Sequence, residues 1–286
     1  MKMDLETARY FVKEREAIRE RREAGLPRPW TDNSILRGNK FCNVRRENDA
    51  VTKWIATNWR GPHADHPDVA FAMAVARFVN WPDSLAELGF PAPWTPDHFK
   101  RVLRARAAGD EKVFGGAYIV GNGGEEKPKI EYIADNVLTP LWRYRDYWRP
   151  KRGDKLATIA VKLRQFEGLA GFMTGQIIAD IKYVEPLRSA SDWTTFVAAG
   201  PGSKAGLARL IGRPADYEWG TYPGWLPTFR EFESAMRPWL VSVGLGDLHS
   251  QDLQNVLCEL SKYLRIRDGG RSKRRYCPPP MADAAE

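Results

Sequence analysis

The sequence predicts an all-α protein, mainly helical, and three observations carry that reading. Leu5, Ala8, Phe11 and Val12 open the chain with an apolar stripe at helical spacing. Proline and glycine clusters then recur along the chain, separating segments long enough for helices. Only one stretch, near 113–124, breaks the helical pattern.

Taken in order, helices are expected over 4–25, 48–59, 67–80, 96–108 and 130–147, then over 154–166, 172–183, 203–211, 228–242 and 250–266. The first is charge-rich and helix-favouring, and beyond Ala17 it turns nearly all polar, as an exposed helical arm would. The next stops at Gly61-Pro62, and later ones at Gly109, Gly153, Gly168, Gly200-Pro201-Gly202 and Gly212. Val113-Phe-Gly-Gly-Ala-Tyr-Ile-Val-Gly-Asn-Gly-Gly124 reads as a short β element ending in a glycine turn. From Asp268 the chain is rich in Gly, Pro and basic residues, and its end reads as disordered. The expected organisation is an N-terminal arm (1–30), one helical domain (31–270) and a basic tail (271–286).

With 286 residues the chain has ample material for a core. Its 44 basic against 36 acidic residues leave a net charge of +8, which favours an anionic partner such as nucleic acid. No apolar run reaches the roughly 20 residues of a membrane span, and the charged N-terminus does not read as a signal peptide. Three widely spaced cysteines (Cys42, Cys258, Cys277) form no CxxC pair, which argues against a disulfide framework or a thiolate zinc site and fits a reducing cytoplasm. His63 and His66 lie in a Pro-rich turn, poorly suited to metal ligation, and no cofactor or metal is implied.

Several segments carry residues suited to chemistry. Asn39–Trp54 gathers cations, carboxylates and amides around an expected loop-to-helix junction. Were the helix to begin at Arg46, then Arg46, Asp49 and Lys53 would share one side, either as an anion-handling site or as a solvated face. Phe166–Gln176 resembles the hairpin of helix-hairpin-helix DNA-binding proteins, with Gly168 and Gly171 letting the backbone approach a phosphate, although Ala170 stands where a second glycine is usual. Gly200-Pro-Gly-Ser-Lys-Ala-Gly206 precedes a helix that Ser203 would cap, with Lys204 and the amides around Gly202 offered to an anion. It does not have the GxxxxGK[ST] spacing of a P-loop. In Trp142–Arg152, aromatics alternate with Arg143, Arg145, Arg149, Lys151 and Arg152, a pattern that stacks on bases and pairs with phosphates unless it serves the core. Gln176 with Asp180, and Glu259 with Lys262, place polar groups in apolar helices, where they must be paired or used.

Together these motifs resemble the alpha-glutamyl/putrescinyl-thymine pyrophosphorylase family. The set comprises Asn43-Val-Arg-Arg-Glu-Asn-Asp49, Phe114-Gly-Gly-Ala-Tyr-Ile119, Gly168–Gln176 with Asp180 and Tyr183, Gly200–Leu207, and Leu257-Cys-Glu-Leu-Ser-Lys-Tyr263. It is also similar to the helical domain of phage hydroxymethyl-deoxyuridine DNA kinases. By analogy the resemblance implies a helical domain like that of helix-hairpin-helix DNA glycosylases. The activity it implies is a transferase of phage thymine hypermodification. Such an enzyme would replace the (pyro)phosphate on phosphorylated 5-hydroxymethyluracil with an amine from an amino acid such as glycine, or from a polyamine. The partners implied are double-stranded DNA bearing that base, the amine donor and a separate DNA kinase acting first, in the cytoplasm of the infected host, with no membrane.

On that reading Arg46 and Lys204 would hold the phosphate, and Glu47 or Asp49 would take a proton. Asp180 and Glu259 would bind the amine, while Gln176 and Tyr118 would read the flipped uracil edge. Asn43, Gly202, Ser203 and Lys262 would complete the substrate site, and Arg143 to Arg152 with Gly168 and Gly171 would bind DNA. The alternative the residues leave open is a monofunctional glycosylase, with Asp192 as its carboxylate.

Overall fold

Regular structure in the computed structural model is helical throughout the described residues, 2–116, 126–220 and 224–271, and no strand occurs among them. In chain order the helices are α1 (Leu5–Glu23), α2 (Ser34–Gly38), α3 (Ala50–Ile55), α4 (Val69–Val79), α5 (Pro82–Leu88), α6 (Pro96–Ala108) and α7 (Lys129–Glu131). They continue as α8 (Thr139–Arg143), α9 (Arg145–Trp148), α10 (Leu156–Leu163), α11 (Gly171–Ile181), α12 (Pro201–Leu210), α13 (Trp225–Ser242) and α14 (Ser250–Arg267). Two wide π-turns extend this set: Ala56–Arg60 prolongs α3, and Tyr132–Leu138 joins α7 to α8. Contacts divide the chain into two compact units, residues 1–46 with 199–286, and residues 47–198.

In the first unit α1 starts on Asp4, whose carboxylate accepts the Thr7 N–H at 3.0 Å. Its apolar stripe is buried at Ala8, Phe11 and Val12, and burial extends through Arg15, Glu16 and Ile18. The exposed arm expected beyond Ala17 therefore begins only at Glu20, because Ile18 still reaches the core. Phe11 packs against Phe41 and Tyr263 with ring centroids 5.9 and 5.5 Å apart, tying α1 to the loop after α2 and to α14. α12 lies on α14 at very close range. A Cβ on Gly206 would fall 2.0 Å from the Leu257 carbonyl oxygen, so this approach needs glycine.

The second unit is built around α4, which is buried along its whole length, as an all-round apolar helix must be. Its C-terminus stops at Asn80 in the left-handed region, φ 50°. The segment expected as a β element passes that end as irregular chain. Gly115 N–H donates to the Val79 carbonyl at 2.9 Å, and a Cβ there would sit 2.0 Å from the Asn80 carbonyl oxygen. Val113 and Phe114 pack on the core, Ser84 Oγ donates to the Val113 carbonyl at 2.7 Å, and the part beyond Gly116 lies outside the described residues until 126.

Candidate functional site

Within the first unit the charged segment 39–46 is a strap whose backbone is held by side chains. Polar residues of α14, spaced three and four apart, form a rail along it. Asp252 Oδ1 accepts the Arg46 N–H at 3.0 Å, and Asn255 Nδ2 donates to the Asn43 carbonyl at 3.2 Å. Glu259 Oε2 accepts the Cys42 N–H at 3.1 Å, and Lys262 Nζ donates to the Lys40 carbonyl while lying over the Phe41 ring. From α1, Arg15 donates to the Phe41 and Cys42 carbonyls at 3.1 Å. A backbone outside helix or sheet must find such partners, and each bond to a charged group contributes about 1.5–3 kcal/mol. Glu259 and Lys262, expected to meet substrate, thus hold the strap, and Asn43 and Arg46 are buried side chains within it.

The helix expected to begin at Arg46 does not. Arg46–Asn48 make one 3₁₀ turn, Asp49 is the N-cap in an extended conformation, and α3 starts at Ala50. Arg46, Asp49 and Lys53 consequently do not share a helical face.

The glycine loop 200–206 is helix rather than an anion cradle. Gly200 is the N-cap of α12, Pro201 follows it, and Ser203 stands in the first turn instead of capping it. The fully buried Ser203 hydroxyl donates to the Gly200 carbonyl and accepts the Gly200 N–H, both at 3.0 Å. Gly202 faces Cys258, where a Cβ would lie 2.3 Å from Sγ. Of the residues expected to meet an anion, Gly202, Ser203 and Lys204, only Lys204 is exposed. Burial, first, and the neighbouring Glu259 push the Cys258 thiol up to about 12, so it packs as an apolar group.

At the base of α14, His249 Nε2 lies 3.0 Å from Asp252 Oδ2, a pairing that suggests proton transfer. The same ring's Nδ1 accepts the Asp252 N–H at 3.4 Å, so both nitrogens serve the helix cap. At the surface, Arg45 donates to Asp247 at 2.7 Å, and that hydrogen bond holds the Asp247 carboxyl below its ordinary range.

In the second unit a buried network crosses from α4 to α11. Arg77, the one charge within α4, forms a two-point pair with Asp180: Nη2–Oδ1 is 2.6 Å and Nε donates to Oδ2. Arg77 also donates to Thr52 Oγ1 at 3.0 Å and lies 3.4 Å from Asn80 Oδ1. Asp180 is wholly buried, which explains the polar residue read in an apolar helix: it is paired. Arg60, presented by the π-turn, extends the network. It holds Glu47 with both terminal nitrogens, approaches Asp180 Oδ1 at 3.8 Å and lies 4.5 Å over the Tyr183 ring. Single π-turns of this kind are often found at functional sites. Beside it opens a cavity of about 370 Å³ lined by Ala56, Arg60, Gly61, Ala64, Tyr183 and Arg188.

One turn before Asp180 on α11, Gln176 is 6 % exposed and its Oε1 has no hydrogen-bond partner among the described residues. Tyr118 lies outside the described residues. Sequence reasoning passed over Arg60, Arg77 and Arg188. Arg77 was detectable as a lone cation in the apolar run Val69–Val79, whereas the other two stand in mixed segments that do not single them out.

The expected hairpin joins α10 to α11. Gly168 takes φ +74°, and its missing Cβ leaves room for Val137, whose Cγ2 would be 3.0 Å away. Gly171 opens α11 after the Ala170 N-cap. The adjacent aromatic–basic strip is divided in use. Trp148 is buried and donates to the Leu141 carbonyl at 2.8 Å, while Arg149 and Arg145 pair with Asp68 at 2.7 and 3.4 Å. Arg143, Lys151 and Arg152 are exposed, as are Tyr144 and Tyr147, and the Tyr144 ring lies 6.4 Å from Phe166 of the hairpin. Asp192 accepts the Leu156 and Ala157 N–H groups at 2.8 and 2.9 Å, so the carboxylate of the glycosylase alternative caps α10. Among the described residues no cluster of metal-binding side chains occurs, and no helix is long and apolar enough to cross a membrane.

Comparison with known proteins follows this geometry. Residues 3–271 match the family profile described as "5-hmdU DNA kinase, helical domain". A curated relative from Bacillus phage SP10, named 5-hmdU DNA kinase, is 24% identical over 291 aligned residues, 89% of this chain and 44% of that protein. The chain thus spans less than half the length of that relative. No solved structure matches the chain significantly. These matches correct the assignment to the pyrophosphorylase family and, with it, the expected amine transfer and its base-excising alternative: the chemistry named for the matched proteins is phosphorylation. The match runs through both units, from α1 to the end of α14, and the chain belongs to the 5-hmdU DNA kinase helical-domain family.

Proposed function

We propose that this chain works in the phosphorylation step of phage thymine hypermodification, binding DNA that carries 5-hydroxymethyluracil and placing its exocyclic hydroxyl for phosphoryl transfer. In that reaction the hydroxymethyl oxygen attacks the terminal phosphorus of a nucleoside triphosphate. The new O–P bond forms, the bond to the diphosphate leaving group breaks, and the hydroxyl proton passes to a base. The observation that carries the reading is the family match over residues 3–271.

The exposed strip of the second unit supports it. Arg143, Lys151 and Arg152 supply cations that are not drawn into the Asp68 pairs, and Tyr144 and Tyr147 are 57% and 54% exposed, Tyr144 beside Phe166 of the hairpin. Exposed tyrosines among arginines and lysines suit a phosphate backbone with accessible bases. The Tyr144–Phe166 ring contact brings the strip to the hairpin, which leads through Gly168 and Gly171 into the positive end of α11.

The test incubates the full chain with duplexes that differ only in hydroxymethyluracil or thymine, with and without nucleoside triphosphate, and follows binding by anisotropy and products by nucleoside mass spectrometry. Tighter binding of the hydroxymethyluracil duplex supports the reading, and a phosphorylated nucleoside appearing with triphosphate would assign the transfer itself to this chain as well. Equal binding of both duplexes with unchanged nucleosides overturns it.

A further inference from the structure

The geometry points to the cavity beside Arg60 as the seat of the pyrimidine nucleotide to be phosphorylated, its base against the Arg60 guanidinium and a backbone phosphate at Arg188. This assignment rests on the reading that the chain binds hydroxymethyluracil DNA. At about 370 Å³ the cavity falls in the range that holds small organic ligands. Ala56, Gly61 and Ala64 contribute no bulk, and its polar groups come from Arg60, Tyr183 and Arg188.

Charge decides which part of a nucleotide enters. Arg60 is matched by Glu47, and the nearby Asp180 by Arg77, so the charge that Arg60 brings to the cavity wall is already balanced. A bare phosphate therefore gains little there. A neutral planar ring fits better: Arg60, with Tyr183 against its guanidinium and Glu47 on its terminal nitrogens, reaches the cavity wall as a neutralised group, and Ala56, Gly61 and Ala64 complete a mostly apolar lining that a base can pack against. Arg188 differs. Its side chain is 62% exposed, it donates to the Tyr183 carbonyl at 3.2 Å, and it has only a 3.8 Å approach to the exposed Glu185. Exposed pairs of that kind hold a cation weakly, so Arg188 is available to a phosphate at the rim. A neutral base inside and an anion at the edge describe a nucleotide.

The experiment places 2-aminopurine opposite hydroxymethyluracil in a duplex and follows its fluorescence, which rises when the partner base leaves the stack, alongside binding by anisotropy. Wild type should give the rise. Ala64→Leu, which fills the cavity, should lose the rise while retaining duplex binding through the basic strip. Arg188→Glu, at an exposed position that should leave folding intact by circular dichroism, should weaken hydroxymethyluracil-duplex binding about tenfold, the loss of one charge-assisted hydrogen bond. If both variants keep the wild-type rise and affinity, the cavity is not the base site. If wild type prefers hydroxymethyluracil yet gives no rise, the base does not enter the cavity, and this inference falls while the proposed function stands. If wild type shows no preference for hydroxymethyluracil over thymine, the proposed function falls with it.

Discussion

Removing the Asp180 carboxylate should be among the most damaging single changes to the second unit. Asp180 is 0% exposed and Arg77 1%, and the two-point pair places the Arg77 charge against a carboxylate inside the core. In Asp180→Ala the guanidinium keeps its neutral neighbours Thr52 and Asn80 but loses its counter-charge. Breaking a buried pair from one side costs about 3–5 kcal/mol. That is a large share of the roughly 5–15 kcal/mol of a folded domain, and it lowers Tm by roughly 6–20 °C at the 2–4 °C per kcal/mol of a unit this size. The double variant Arg77→Met/Asp180→Val removes both charges at similar total volume, and it should recover most of the loss, because apolar replacements of buried pairs are commonly neutral or better. The assay is urea unfolding followed by tryptophan fluorescence for wild type, both single variants and the double. A loss below about 1 kcal/mol in Asp180→Ala, the size of a surface pair, would refute the argument. So would a double variant as unstable as the worse single one.

Three further outcomes follow from the same geometry. Gly206→Ala should destabilise the first unit by about 1–3 kcal/mol or more, since the new Cβ meets the Leu257 backbone; Gly202→Ala meets the Cys258 side chain instead and should be relieved by Cys258→Ala, as thermal melts would report. The Thr7 hydroxyl bond to Asp4 and the Arg45 bond to Asp247 each lower a carboxyl below its ordinary range. A depressed folded pKa means that stability is fully present above the ordinary aspartate value of about 3.9 and is lost as pH falls through the lowered one. Melts taken from pH 6 down to pH 3 should therefore show a steeper acid loss in wild type than in Asp4→Asn/Asp247→Asn. Lys151→Ala and Arg152→Ala should each weaken DNA binding equally for all sequences and reduce the salt slope by about one, whereas a slope unchanged in the double variant would remove the strip from the interface.

Much of the secondary structure was legible because its signals are local. The helix expected over 96–108 is α6, and those expected over 203–211, 228–242 and 250–266 differ from α12, α13 and α14 by three residues or fewer at any end. The short α2 and α5, of five and seven residues, were missed because so few turns present no periodicity to read. The glycine motifs were visible, but their use was not. Gly200-Pro-Gly-Ser-Lys-Ala-Gly206 looks the same whether its bare backbone meets a phosphate or another helix. The nearness of Cys258 and Leu257, more than fifty residues on, makes it a packing seam.

The charged strap shows the same division. Composition marked Asn39–Trp54 as unusual, yet the bonds that employ its first half come from Asp252, Asn255 and Glu259, up to 217 residues away. Helical class, the hairpin turn and a surplus of exposed cations were readable from the chain alone, since periodicity, turn residues and charge are properties of neighbours in sequence. The Arg77–Asp180 pair, the Arg60–Glu47–Tyr183 cluster and the rail along α14 were decided by tertiary packing. A charge in an apolar helix announces that a partner must exist; only the folded chain, closing 103 residues between Arg77 and Asp180, says which one it is.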